Sequence, residues 1–124
     1  MKLLARLLVA LTLAVPVVTL AAQTAQTVYK PGNGVSLPSV IRQVKADYTP
    51  EAMAQRIEGV VGLECVVRTD GTVSDIKVVK SLDSIYGLDR KATEAMEQWR
   101  FKPGMKDGAA VAVQINVEMN FTLK

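Results

Sequence analysis

The chain has 124 residues, enough for one small domain plus an appendage, and almost half of them are apolar. Its formal charge is +3, but Lys2 and Arg6 sit in an apolar N-terminal stretch, and without them thirteen basic residues face twelve acidic ones. That balance, with no basic run, argues against nucleic acid as a partner; a single Cys excludes an internal disulfide, and the lack of any His removes the commonest acid–base and metal-ligating side chain.

Met1 to Arg6 is a basic start, Leu7 to Val15 is an apolar run, and Pro16 precedes Val17 to Ala22. Residues 1–22 therefore have the layout of a secretory signal peptide cut after Ala21 or Ala22. The alternative is an uncleaved inner-membrane anchor. Against it, Leu7 to Ala22 falls short of the ~20 apolar residues a span needs, and Pro16 interrupts it. Residues 23–46 read as a linker: Pro31, Gly32, Gly34 and Pro38 keep its first part extended and mobile. Val40 to Val44 is a short strand or a docked segment. At full stretch this linker reaches only ~70–80 Å.

A domain is expected over residues 47–124. Thr49-Pro50-Glu51-Ala52 is a helix start, with Thr49 as the cap, Pro50 at the first helical position and Glu51 against the positive helix end. The helix should run about two turns to Gly59, with Met53 and Ile57 as its apolar side. Val60 to Arg68 reads as a strand with Val61, Leu63, Cys65 and Val67 on one face. Thr69-Asp70-Gly71-Thr72 is a hairpin signal, and Val73 to Lys80 is the returning strand. Ser81 to Gly87 is a loop. Asp89 is the expected cap of a second helix whose Leu88, Ala92, Ala95, Met96 and Trp99 share one stripe. Pro103 stops that helix, and Gly104 with Asp107-Gly108 turns the chain into a final strand.

That final strand is the most regular stretch in the sequence. From Val111 to Leu123 every odd position is apolar and every even position small or polar, without Pro or Gly. The sum is an α+β, two-layer sandwich: a three-stranded, mainly antiparallel sheet with two helices on one face and water on the other. A sheet of three strands has two edges. An unbroken strand at one of them can accept a strand from another protein, unless residues 35–46 cover it from within.

No constellation for catalysis or metal binding stands out, and no cofactor is expected. Asp70 and Asp107 each precede Gly, where turn formation accounts for them. Cys65 lies in an apolar pattern without a partner base. Met53, Met96 and Met105 lack ligand spacing, and Trp99 belongs to the core stripe.

The run Glu58-Gly59-Val60-Val61, then Asp70-Gly71-Thr72-Val73, Val78-Val79-Lys80-Ser81, Leu88-Asp89, Ala92, Ala95, Trp99-Arg100-Phe101-Lys102-Pro103 and Asp107-Gly108 resembles the TonB C-terminal domain family, over about Gly34 to Lys124. Tyr48-Thr49-Pro50 with Ala52 stands where the family has Tyr-Pro and a following Ala, with Thr49 as an insertion. The resemblance implies a periplasmic, non-enzymatic interaction domain in TonB-dependent transport. Such a domain binds a TonB-box-like segment of an outer-membrane receptor or other envelope protein by β-strand addition. It places the contacts on Gln114, Ile115, Asn116, Val117 and Glu118, with Tyr48 as a second candidate. The alternative is a self-associating periplasmic scaffold of the same fold, a homodimer without energy transduction. The family's members also carry an uncleaved N-terminal span with a His that engages a motor, and a long Pro-rich linker. This sequence has neither, so the expectation is a retained binding end without the motor end.

Overall fold

The computed structural model describes residues 27–123; the expected signal peptide lies outside them. Seven strands and two helices follow one another as β1 (Val28–Tyr29), β2 (Ser39–Arg42), α1 (Pro50–Ala54), β3 (Gly59–Val67), β4 (Val73–Lys80), α2 (Leu88–Glu97), β5 (Arg100–Lys102), β6 (Gly104–Lys106) and β7 (Ala109–Phe121). Among the described residues no helix is long and apolar enough to cross a membrane.

The three expected strands form the centre of the main sheet, in the order β7-β3-β4, all antiparallel. The inward row of β3, Val61, Leu63, Cys65 and Val67, is buried as the alternation requires. It packs with Met119 and Phe121 of β7 beneath Ala52 of α1 and Leu88, Ala92, Ala95 and Met96 of α2, so both helices cover one face. Burial holds the Cys65 thiol up at about 11, helped by the neighbouring Glu64 carboxylate, which makes it an unreactive core group.

Two short strands enlarge the expected sheet. Asp107 (φ 51°) and Gly108 (φ 80°) form a two-residue reversal that pairs Lys106 with Ala109, so residues 104–106 fold back as β6 instead of serving only as a turn. β1 pairs in parallel with Ala112 and Val113. The even face is also less wet than expected. Ala112 and Val66 are buried on it, and Lys30, Pro31 and Leu37 come over it beside Glu64, Gln114 and Asn116.

The local signals act much as their chemistry dictates, with three differences. Thr49 Oγ1 accepts from the Ala52 amide at 3.1 Å, and its hydroxyl donates to Tyr86 O at 2.7 Å. α1 is shorter than two turns, however, because Arg56 (φ 54°) closes it. The Ile57 amide returns to Ala52 O and the Arg56 amide to Met53 O. The buried residue of α1 is Ala52, and Met53 faces solvent. At α2, Gly87 takes the cap position, and Asp83 plays the part expected of Asp89. Its buried carboxylate accepts from the amides of Ile85, Tyr86 and Leu88. Asp89 instead reaches back to the Leu82 and Asp83 amides and the Ser81 hydroxyl. Burial alone would push its carboxyl up, but those three donors outweigh it and hold the group below its ordinary value.

Trp99 and Phe101 carry the chain from α2 into a separate two-stranded ribbon, β2–β5. Trp99 is buried, its ring 6.0 Å from that of Phe101, and its indole N–H donates to Val44 O at 2.9 Å. The ribbon is tied to the sheet by the β3–β4 turn. There Gly71 (φ 87°) accepts from the Phe101 amide at 2.9 Å, so close that a β-carbon on Gly71 would overlap Phe101 O. Asp70 serves that turn, as expected: its carboxylate accepts from the amide and hydroxyl of Thr72, which hold it below its usual range.

Candidate functional site: the outer edge of the last strand

β7 is thirteen residues long and pairs with β3 from Val113 to Phe121 without a bulge. β6 pairs with Ala109 to Val111, beyond the end of β3, and on the edge opposite β3 the strand β1 pairs with Ala112 and Val113. From Gln114 to Asn120 no strand among the described residues is paired along that edge. Residues 35–46 do not close it. Val35 bridges Lys106, Ser36 exchanges hydrogen bonds with Met105, and Ser39 to Arg42 pair with β5. The strand that does sit on the edge, β1, comes from further upstream and is two residues long.

The opposite edge of the sheet is built differently. β4 carries two register breaks against β3, one beside Asp75, whose φ is 51°. Lys77 and Lys80 stand along it, and Lys77 reaches Glu64 at 3.7 Å. Bulges and charges of this kind discourage edge-to-edge pairing. The molecule therefore has one irregular, charged edge and one straight edge open from Gln114 to Asn120.

Two notches border the open stretch. One, of ≈ 380 Å³, is lined by Lys30, Pro31, Leu37, Glu64, Gln114, Ile115 and Asn116. The other, of ≈ 300 Å³, lies between residues 43–46 and Glu118 to Asn120, with Trp99 in its wall. The Trp99 bond to Val44 O holds that outer wall in place. Gln114, Ile115, Asn116, Val117 and Glu118 are thus brought together on the open edge. Asn116 and Glu118 are exposed beside the half-buried Gln114, Ile115 and Val117.

Tyr48 lies elsewhere. Its ring meets Phe121 edge-on at 5.4 Å, and its hydroxyl donates to Ile57 O at 2.6 Å. Burial and the Glu58 carboxylate push its phenol above the usual value, which keeps the donor protonated. It lines neither notch.

Sequence reasoning missed the contributions of residues 30–37 and 43–46 to the walls. Gly32-Asn33-Gly34-Val35 does carry a signal: Asn33 (φ 52°) and Gly34 (φ 86°) make a tight reversal closed by two 3.0 Å bonds between Gly32 and Val35. Residues 43–46 carry none, because their position depends on a bond to a Trp fifty-five residues away.

The family described as Gram-negative bacterial TonB protein C-terminal matches residues 44–123. Among curated proteins, Protein TonB of Escherichia coli K12 is 31% identical over 85 residues, covering 68% of this chain and 35% of that protein. Protein TonB of Vibrio cholerae is 32% identical over 91 residues, covering 73% and 37%. Protein TonB of Pseudomonas aeruginosa is 39% identical over 67 residues, covering 54% and 19%. The chain thus spans well under half the length of these relatives. The solution structure of the P. aeruginosa TonB C-terminal domain superposes with a TM-score of 0.58 at 30% identity, covering 75% of this chain and 90% of that one.

Proposed function

The chain belongs to the Gram-negative bacterial TonB C-terminal family, and from that membership we propose a periplasmic binding module that takes part in TonB-dependent transport. It receives an extended segment of an outer-membrane receptor or another envelope protein as an added strand on β7. The observation that carries this is the open, unbulged stretch Gln114 to Asn120 beside a bulged and charged opposite edge. Main-chain hydrogen bonds supply most of the affinity, and side chains of the guest alternate toward the two faces. Those beside Gln114 and Asn116 meet the Lys30–Leu37 notch, and those beside Met119 meet the notch walled by Trp99. Tyr48 acts through Phe121, packing the end of the strand.

The test is backbone-resolved hydrogen exchange while peptides from the periplasmic N-termini of outer-membrane receptors are titrated in. Binding on this edge slows exchange at alternate amides between Gln114 and Asn120 and leaves β4 amides unchanged. The same peptides methylated on alternate backbone nitrogens lose affinity. Protection confined to another surface, or equal binding by the methylated peptides, overturns the proposal. A dimer that protects the same amides and ignores peptide supports the self-associating scaffold instead.

A further inference from the structure

The described residues hold twelve basic and twelve acidic side chains, yet the charges are not mixed evenly. Residues 37–46 and 98–103, the β2–β5 ribbon with its flanks, contain Arg42, Lys45, Arg100 and Lys102 and no carboxylate. Phe101 is buried, so Arg100 and Lys102 on either side of it point away from the core. Arg42 stands directly opposite Arg100, and Ser39 opposite Lys102. Residues directly opposite share a face, so Arg42 joins Arg100 and Lys102 on the outside. No carboxylate of the described residues lies within salt-bridge reach of Arg42, Lys45, Arg100 or Lys102. Arg100 is partly engaged, donating to Glu97 O and Trp99 O at the end of α2. A like-charged pair directly across a two-stranded ribbon opposes the pairing. An anionic surface laid against the ribbon would reverse that penalty.

The same ribbon shows its apolar residues to solvent. The register break leaves Ile41 between the paired positions, 70% exposed, and Leu37 just ahead of the strand is 67% exposed. Leu37 borders the ≈ 380 Å³ notch beside β7, whereas Ile41 lines neither notch and stands out from the extended segment. Protruding aliphatic groups flanked by Arg and Lys suit the headgroup layer of a bilayer, where the aliphatic groups enter the acyl boundary and the cations meet lipid phosphates. A groove for a peptide is a different shape.

We propose that the outer face of the β2–β5 ribbon docks on an anionic phospholipid bilayer, with Ile41 inserted and Arg42, Arg100 and Lys102 on the phosphates. Docking there leaves the Gln114–Asn120 edge available, and it stands whether or not that edge binds a peptide.

The experiment uses the full chain carrying Ile41→Cys, labelled with an environment-sensitive fluorophore. Cys65 is buried and its thiol is unreactive, so the label goes to position 41. Phosphatidylglycerol–phosphatidylethanolamine vesicles are titrated against phosphatidylcholine vesicles, with a label at exposed Ser84 as the control. The position-41 label should shift to the blue in the anionic vesicles only, and the shift should fade at high salt. Adding Arg42→Gln and Lys102→Gln should raise the lipid needed for half-shift by roughly 25-fold, about five-fold per cation. Binding through the apolar leader alone leaves position 41 in water and is indifferent to both substitutions; that result overturns the proposal. So does an unchanged half-shift in the Gln variant, or a shift produced by soluble polyglutamate but not by vesicles.

Discussion

Gly71 and Gly108 offer a controlled comparison, because both lie in a hairpin turn at nearly the same positive φ, 87° and 80°. A β-carbon at Gly108 meets nothing within 4 Å, whereas at Gly71 it overlaps the carbonyl oxygen of Phe101. Gly108→Ala therefore carries the conformational cost alone, about 1–2 kcal/mol for an L-residue in the left-handed region. Gly71→Ala carries the same cost plus a collision with backbone that has nowhere to rotate. Relief of the collision requires the turn to withdraw from β5, which breaks the 2.9 Å bond from the Phe101 amide to Gly71 O and opens packing around Phe101. A lost hydrogen bond and loosened core contacts add about 2 kcal/mol more, for a total of about 3–4 kcal/mol. Urea denaturation followed by the fluorescence of Trp99, the single Trp, measures both. In a domain of this size the two variants should also differ in Tm by roughly 8–16 °C, at about 4–8 °C per kcal/mol. Equal losses at the two positions would show that φ strain alone matters and that the turn does not clamp the ribbon to the sheet.

Two further outcomes follow from the titrating groups. The Asp89 carboxyl is held below its unfolded value, so its contribution to stability is present above the unfolded pKa of about 3.9 and is lost as pH falls through the lower folded value. Asp89→Asn should destabilise the protein at pH 7 and flatten the acid limb of the stability–pH curve; an unchanged slope between about pH 2 and 4 would refute the assignment. Cys65 behaves in the opposite sense. Its folded value of about 11 exceeds the unfolded one, so folding is favoured fully below about pH 8.5 and progressively less as pH rises. Iodoacetamide at pH 8 should alkylate Cys65 only at the rate of global unfolding, and rapid modification of the native chain would contradict its burial.

Elements that rest on local periodicity are legible in the amino-acid pattern alone. The alternation in β3 and β7, the α2 stripe and the Thr49-Pro50 cap depend on neighbours within a few residues, and each lies where the pattern places it, except that α2 ends at Glu97, before Trp99 and well ahead of Pro103. Elements that rest on distant partners are not legible in this way. Asp83 takes the role expected of Asp89 because a carboxylate five residues before a helix reaches its first amide only through the bend of the intervening loop. β6 depends on how two turn residues rotate, and β1 on finding β7 more than eighty residues later. The end of α1 at Arg56 has no glycine to announce it.

For the binding edge the division is similar. Alternation from Val111 to Leu123 determines by itself that a long amphipathic strand exists and which side chains share a face, because a strand's period of two is a property of the backbone. Which flank of that strand stays open is a property of neighbours. Only the packed chain shows that β1 closes it as far as Val113 and leaves Gln114 to Asn120 unpaired. The basic ribbon is clearer still: neither residues 37–46 nor 98–103 makes a cationic cluster alone, and the charge density arises when pairing sets Arg42 across from Arg100. Local pattern sets what each segment can bury; tertiary contact decides which backbone groups and which charges are left without a partner.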